Sequence, residues 1–159
     1  MMGWAKYHTD DFEQAFSYFE HSLQLRKETL SDDNVLIAWA YFNSASVLTK
    51  MKETEKAIHY YEEAIRRFLR INEIGICVPA YICIAEAYLD LNDCTKATNA
   101  LEQAFTYEYE YYGEENCRKY WLYDIKSKIL EKQGKNDEAA EYRRWSEEEY
   151  KKYIQSRET

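Results

Sequence analysis

The sequence has little glycine and proline. Its 159 residues include four glycines and one proline, Pro79. Residues that interrupt helices are therefore nearly absent, and so are the paired turn residues that mark β-hairpins. Since 46% of the residues are hydrophobic, the chain still has enough apolar side chains for a core. We predict an all-α fold in a single domain spanning residues 1–159.

Long hydrophobic runs are also missing. The longest uncharged run near Pro79, residues 74–85, has twelve residues, whereas a membrane-spanning helix needs about 20. The N-terminus lacks a basic start followed by an apolar stretch, so a secretory signal is not expected. We therefore predict a cytoplasmic protein without a membrane span. No CxxC pair occurs, so we expect reduced, mostly buried thiols at Cys77, Cys83, Cys94 and Cys117.

The residue patterns of common catalytic and ligand sites are absent. The two closest glycines are 21 residues apart, which is too far for a loop that cradles phosphate. None of His8, His21 and His59 has a second ligand at metal spacing. Serines and cysteines lie inside predicted helices rather than on a strained turn. We therefore predict no enzyme activity, no metal and no cofactor.

Basic residues are scarce in one part of the chain. The net charge is −8, and residues 86–116 hold eight acids against the single Lys96. Acidity of this kind disfavours nucleic acid and favours a basic partner. A solvated acidic face that keeps the protein in solution explains the same pattern equally well.

The chain does contain an alanine that recurs at intervals of 42, 40 and 42 residues, at Ala15, Ala57, Ala97 and Ala139. An apolar residue follows four places later in the first three copies, and Arg143 in the last. Small residues follow three places after that: Ser22, Ala64, Ala104 and Ser146. Small residues seven apart lie on one helix face, where a neighbouring helix can approach closely. The arginine marks the last copy as a closing end.

Each alanine segment follows another amphipathic stretch, which predicts one helix pair per period. The predicted leading helices are 37–50, 79–91 and 120–132, and the trailing ones are 11–30, 53–71, 93–112 and 137–154. Polar residues in the breaks 31–34, 92–93 and 134–137 are expected to cap the helices that follow. Residues 107–112 alternate tyrosine and glutamate, yet they continue a helical pattern and are predicted to be helical.

Twelve residues before each alanine stands another small residue: Gly3, Ala45, Ala85 and Ser127. The central segments are YFNSASVL, YICIAEAYL, EKAIHYYEEAI and TKATNALEQAF. This arrangement resembles the tetratricopeptide repeat, in the long-helix variety of kinesin light chains. The resemblance implies a right-handed solenoid of antiparallel helix pairs with about three and a half repeats. The repeats would be 1–33 (truncated), 34–74, 75–114 and 115–159, the last with a capping helix.

The resemblance also implies that the leading helices line a concave groove that binds a peptide. By position, the groove residues are Trp39, Phe42, Asn43, Ser46, Lys50, Ile82, Glu86, Trp121, Asp124 and Lys128. Trp4, Tyr7 and His8 would face the same way. An amide at Asn43 can hold a peptide backbone, or it can bond a neighbouring helix. Trp39 and Trp121 are either anchors for an apolar side chain or part of the core.

These expectations favour a noncatalytic adaptor that binds a protein or peptide and neither nucleic acid nor membrane. With Glu86, Asp90 and Asp124 on the groove side, the favoured peptide carries Lys or Arg among apolar residues. Pro79 and Cys83 stand where family members that clamp chaperone tails have basic residues, so that mode is disfavoured. Two alternatives remain open. The chain is a structural segment of a longer solenoid that self-associates through its N-terminal end, or it is a peptide-sensing regulator of the bacterial type.

Overall fold

The computed structural model describes residues 11–113 and 119–156, which hold seven α-helices and no strand. None of these helices is long and apolar enough to cross a membrane. The all-α prediction is confirmed, and each helix begins and ends within two residues of its predicted bounds. The helices are α1 Phe12–Thr29, α2 Val35–Lys50, α3 Thr54–Arg70, α4 Cys77–Asp90, α5 Cys94–Tyr112, α6 Lys119–Lys132 and α7 Asn136–Gln155, with a 3-10 turn at Ile74–Ile76.

The chain divides into two compact units, Met1–Ala80 and Tyr81–Thr159. In the first unit α1 packs on α2, and α2 packs on α3. In the second unit α5 packs on α6, and α6 packs on α7. Three-residue turns at 51–53 and 133–135 join packed helices, so these pairs are antiparallel. One continuous domain over residues 1–159 stays a prediction.

The turn inside each helix pair has the same backbone conformation. Lys52 lies in the left-handed region at φ 63°, and Asn92 (59°) and Gly134 (76°) occupy the equivalent places. The next residue, Glu53, donates its backbone N–H to the carbonyl of Leu48 at 3.0 Å, and the other two turns repeat this bond at 2.8 and 2.9 Å. This is the Schellman motif, which satisfies carbonyls at a helix end. The sequence places a glycine, the residue best suited to this conformation, in one of the three turns.

The recurring alanines form the contacts between helices. Ala15, Ala57 and Ala97 have no exposed surface, and Ala139 is 1% exposed. The apolar residues four places on are buried, whereas Arg143 is exposed and pairs with Glu131 of α6. Small residues of the leading helices are buried as well: Ala45, Ala85 and Ser127. The structure confirms the repeat register, and Gly3 lies outside the described residues.

Two of the three predicted helix caps are present. The Asn34 side chain accepts the N–H of Leu36 at 2.9 Å, and that of Asp93 accepts the N–H of Lys96 at 3.0 Å. The prediction is wrong for α7, whose N-cap is Lys135 and has no side-chain hydrogen bond. The Schellman turn ends at Lys135 and places Asn136 already inside the helix. Residues 107–112 are helical as predicted, because α5 continues to Tyr112.

A polar network joins the three helices of the first unit around Glu20 of α1. The buried Ser44 of α2 donates its hydroxyl to Oε1 of Glu20 at 3.1 Å, and Tyr60 of α3 donates to Oε2 at 3.0 Å. Burial, together with the hydrogen bond and charge of Glu20, raises the pKa of Tyr60 to about 12. The neutral phenol is therefore the form that the folded state stabilises.

Two arginines of α3 hold the connection between α1 and α2. Arg67 donates to the backbone carbonyl and to Oδ1 of Asp32, both at 2.7 Å, and Arg70 donates to Oδ2 at 2.9 Å. These hydrogen bonds, Arg67 first, lower the pKa of Asp32. The Arg67 guanidinium also lies over the ring of Tyr41, 5.2 Å from its centre. The acidic connection thus stays against the helix pair that follows it.

Candidate functional site

Five predicted groove residues lie on one side of α2, because their spacing follows the helical period. Lys50 is exposed and the other four are partly exposed, whereas Ile37, Ala40 and Ser44 on the other sides are buried. The first unit therefore brings these five predicted residues together. We call them the α2 face: Trp39, Phe42, Asn43, Ser46 and Lys50.

The two aromatic rings of the α2 face rest on α3. Trp39 lies edge-on to Phe68 with 5.4 Å between ring centres, and edge-on to Phe42 at 5.7 Å. Phe42 in turn lies 5.4 Å from Tyr61. Phe68 and Tyr61 are buried, whereas Trp39 and Phe42 keep part of their surface exposed. The rings of Trp39 and Phe42 therefore form an apolar surface that rests on core residues of α3. Trp39 therefore packs on the core and also keeps part of its surface exposed, and its use as an anchor for an apolar side chain stays a prediction.

The polar groups of the α2 face differ in the hydrogen bonds that they already make within the chain. Ser46 Oγ donates to the Phe42 carbonyl at 3.1 Å and lies 3.2 Å from the Tyr61 hydroxyl. The Asn43 amide is partly exposed, and it makes no side-chain hydrogen bond within residues 11–113 and 119–156. A bond from Asn43 to a neighbouring helix, the other interpretation, is thus not seen in that part of the chain. Its two N–H donors and its carbonyl are therefore not used by the described part of the chain.

The second unit holds a charged group that we call the charge cluster: Glu86 of α4 and Asp124 and Lys128 of α6. Lys128 Nζ lies 2.7 Å from Asp124 Oδ2 and 3.6 Å from Glu86 Oε1. Burial raises the pKa of Glu86, and Asp124 and Asp90 add to this effect while Lys128 opposes it. Burial lowers the pKa of Lys128, but the hydrogen bond and charge of Asp124 and the charge of Glu86 outweigh it, so the net shift is upward. The ammonium is thus held between carboxylates of two helices.

The remaining two groove residues of the second unit behave differently. Trp121 is 40% exposed and stands three residues before Asp124 on α6, so both lie on the same side of that helix. Ile82 of α4 is 2% exposed. Its side chain belongs to the hydrophobic core, and we therefore leave Ile82 out of the candidate surface.

Two sets of contacts in the site could not be predicted from individual positions in the sequence. Tyr61 and Phe68 support the α2 face, although the pattern marked Tyr61 only as a core residue of the alanine segment. The Asp124–Lys128 pair has the readable spacing of four residues, but the approach of Glu86 depends on a contact between helices. Trp4, Tyr7 and His8, and the N-terminal end expected to self-associate, lie outside the described residues. In the described residues no three His, Cys, Asp or Glu side chains are placed to hold a metal ion.

The sequence matches one known family of helical repeats. Residues 2–70 match the sequence model described as tetratricopeptide repeat. Curated proteins give no match to this chain. The matched segment includes α1, α2 and α3, and therefore the whole α2 face.

Solved structures extend the likeness over nearly the whole chain. BtubC (BKLC) from P. vanneervenii has a TM-score of 0.83 at 15% identity, and the match covers 96% of this chain and 62% of that one. A Podosopora anserina protein described as a kinesin light chain with nearly identical TPR-like repeats has a TM-score of 0.74 at 14% identity, covering 91% and 70%. MamA has a TM-score of 0.57 at 18% identity, covering 98% of each chain. At such identities the likeness concerns the fold alone.

Proposed function

Since the chain is a tetratricopeptide repeat protein, we propose that it is a noncatalytic interaction module whose α2 face binds an extended segment of a partner protein. Repeats of this fold are known as protein interaction modules. The observation that carries the proposal is Asn43, which is partly exposed and stands next to the partly exposed rings of Trp39 and Phe42. We place the module in the cytoplasm, in keeping with the free thiols of Cys77 and Cys94.

The α2 face offers an extended segment two kinds of contact. The Asn43 amide can donate to a backbone carbonyl and accept from a backbone N–H, so it holds a segment without regard to its side chains. An apolar side chain can then cover the rings of Trp39 and Phe42, which α3 holds in place. Aromatic residues of this kind contribute much of the energy at interfaces. Lys50, at the end of the face, leaves room for an acidic or polar group.

The preferred segment carries a basic residue among apolar ones. This finer part of the proposal is supported by the charge of −8 of the whole chain. Charges of opposite sign on the partner would speed the encounter and select among segments.

A second candidate function is a structural one. The chain spans 62% of the length of BtubC and 70% of that of the Podosopora anserina protein, so it corresponds to only part of each of those proteins. In this alternative its helices pack against further repeats, and the α2 face has no peptide to bind. The two candidates differ in whether Asn43 matters for binding a partner.

The test begins with a peptide array probed with the whole chain. Asn43→Ala should weaken binding of the array hits by about tenfold, because a hydrogen-bonding pair to the peptide backbone is lost. Asn99→Ala, at an exposed place on α5, is the matched control and should bind as the wild-type does. Both variants should keep the thermal unfolding temperature of the wild-type. Equal binding by Asn43→Ala and Asn99→Ala would reject the α2 face, and an array without hits would favour the structural alternative.

A further inference from the structure

The hydroxyl group of Ser46 contacts two oxygen atoms of the first unit. Its Oγ lies 3.1 Å from the backbone carbonyl oxygen of Phe42 on the same helix, and 3.2 Å from the hydroxyl oxygen of Tyr61 on α3. A serine hydroxyl has one proton to donate and two lone pairs that accept, and a phenol hydroxyl can also do both. A carbonyl oxygen can only accept. The direction of each bond therefore depends on where the single Ser46 proton lies.

One placement of the protons makes both contacts hydrogen bonds. The carbonyl of Phe42 has no proton, so the contact at 3.1 Å requires the proton of Ser46. The contact with Tyr61 then requires the phenol proton, and Tyr61 donates to Ser46. One lone pair of Ser46 is left over from these two bonds, and no third partner is seen in the described part of the chain. Because Ser46 is partly exposed while Tyr61 is 2% exposed, Ser46 presents an acceptor at the surface.

We propose that Ser46 determines specificity on the α2 face by accepting one backbone N–H of the bound segment. This inference rests on the proposed function, since it assigns a second hydrogen bond beside that of Asn43. Ser46 stands three residues after Asn43, about 4.5 Å along the helix, and an extended segment advances about 3.3 Å per residue. The N–H therefore belongs to a residue within about two positions of the peptide group that Asn43 holds.

The same bond excludes one amino acid from the partner. Proline has no backbone N–H, so a segment with proline at this position leaves the Ser46 lone pair without a donor. The proton of Ser46 is already bound to the Phe42 carbonyl, so Ser46 cannot offer a donor in exchange. Suitable partner segments therefore carry any residue except proline opposite Ser46.

The experiment measures binding of the whole chain to the tightest heptapeptide of the array and to its ester analogues. Each analogue replaces one backbone N–H with oxygen. Ser46→Ala should bind the parent peptide about fivefold more weakly than the wild-type does, because one neutral hydrogen bond is lost. For one ester, Ser46→Ala and the wild-type should bind equally, because the N–H that Ser46 accepts is already missing.

The matched control is Thr98→Val. Thr98 is a partly exposed residue of α5 whose hydroxyl donates to the carbonyl of Cys94 at 2.8 Å, the same bond within a helix that Ser46 makes. Thr98→Val should bind the parent peptide and every ester as the wild-type does. Thermal unfolding of each variant shows that it is folded before its binding is compared.

A second variant tests the direction of the bond from Tyr61. Tyr61→Phe removes the phenol hydroxyl and keeps the ring against Phe42, and the Ser46 proton stays with the carbonyl. Tyr61→Phe should therefore still bind that one ester about fivefold more weakly than the parent peptide. If Tyr61→Phe binds the two equally, Ser46 does not depend on an N–H and the inference is wrong.

The remaining outcomes separate this inference from the proposed function. If folded Ser46→Ala weakens the parent peptide and every ester to the same extent, Ser46 has only a structural role and the inference is wrong. If that happens while Asn43→Ala still loses its array hits, the proposed function stands without the inference. An array without hits would reject both.

Discussion

Asn43 shows how far a single position can be inferred. Its place on the exposed side of α2 follows from the helical period and from the resemblance to the repeat family. That its amide bonds no described residue does not follow, because this depends on the rotamers of Asn43 and of its neighbours. The same holds for Trp39, whose edge-on contact with Phe68 joins residues 29 positions apart.

At the scale of the residue, Lys52 is expected to lower the stability of its turn. A non-glycine residue in the left-handed region costs roughly 1–2 kcal/mol, and glycine recovers this at an entropic cost of roughly 0.5–1 kcal/mol. Lys52→Gly should therefore stabilise the protein by about 0.5–1 kcal/mol, measured by urea unfolding. Lys56→Gly, a change of the same residue type inside α3, should instead cost about 1 kcal/mol. Destabilisation by both variants would show that Lys52 is not strained.

At the scale of the helix, prediction succeeded where two signals agreed. The alanine spacing gave the buried side of each trailing helix, and Asn34 and Asp93 marked the start of the helix that followed. The predicted side-chain cap was wrong at the start of α7. Residues with capping side chains are present there, but the preceding Schellman turn decides which residue is the first of the helix. The bond from Tyr60 to Glu20 gave no sequence signal, because 40 residues separate the two.

The contact among α1, α2 and α3 around Glu20 predicts an alkaline loss of stability. The folded state raises the pKa of Tyr60 from 10.0 to about 12. The stability that this provides is complete below pH 10 and is lost as the pH rises through 12. In urea unfolding, Tyr60→Phe should therefore lose less stability between pH 9 and pH 11 than the wild-type does.

The control for this experiment is Tyr18→Phe, which alters an exposed tyrosine of α1. It should lose as much stability between the two pH values as the wild-type does. At pH 7 Tyr60→Phe should itself be less stable by about 1 kcal/mol, since one hydrogen bond is removed. Equal alkaline losses in wild-type and Tyr60→Phe would contradict the role of Glu20.

At the scale of the whole molecule, each unit has its own packed helices, so damage in one unit should remain there. Ala57→Leu overpacks a fully buried place and should cost roughly 1–3 kcal/mol. By hydrogen exchange, it should raise the exchange rates of amides in α1, α2 and α3 most. Ala97→Leu should do so in α5, α6 and α7. Ala140→Leu, at an exposed place on α7, is the control. Identical exchange profiles for Ala57→Leu and Ala97→Leu would show that the damage is not confined to one unit.

The fold class and the helix bounds were predictable because the same sequence pattern occurs in each repeat. One weak signal, such as an alanine with a small residue seven places on, becomes strong when it recurs. The site has no such redundancy, since Trp39, Asn43 and Lys128 each occur once and their contacts are particular to each unit. Ile82 illustrates the difference, because the family position indicated a groove residue while the packing of this chain buries it.

The Schellman turns also constrain how such a chain can change in length. From the start of each turn to the alanine of the next helix there are seven residues in all three pairs, at 51–57, 91–97 and 133–139. One inserted residue there would rotate the trailing helix by about 100° and carry its alanine away from the partner helix. The difference between periods of 40 and 42 residues arises elsewhere, in the helix lengths and in the connections between pairs. Duplicated repeats can therefore change in length at those places, while the packing of the two helices in each pair is kept.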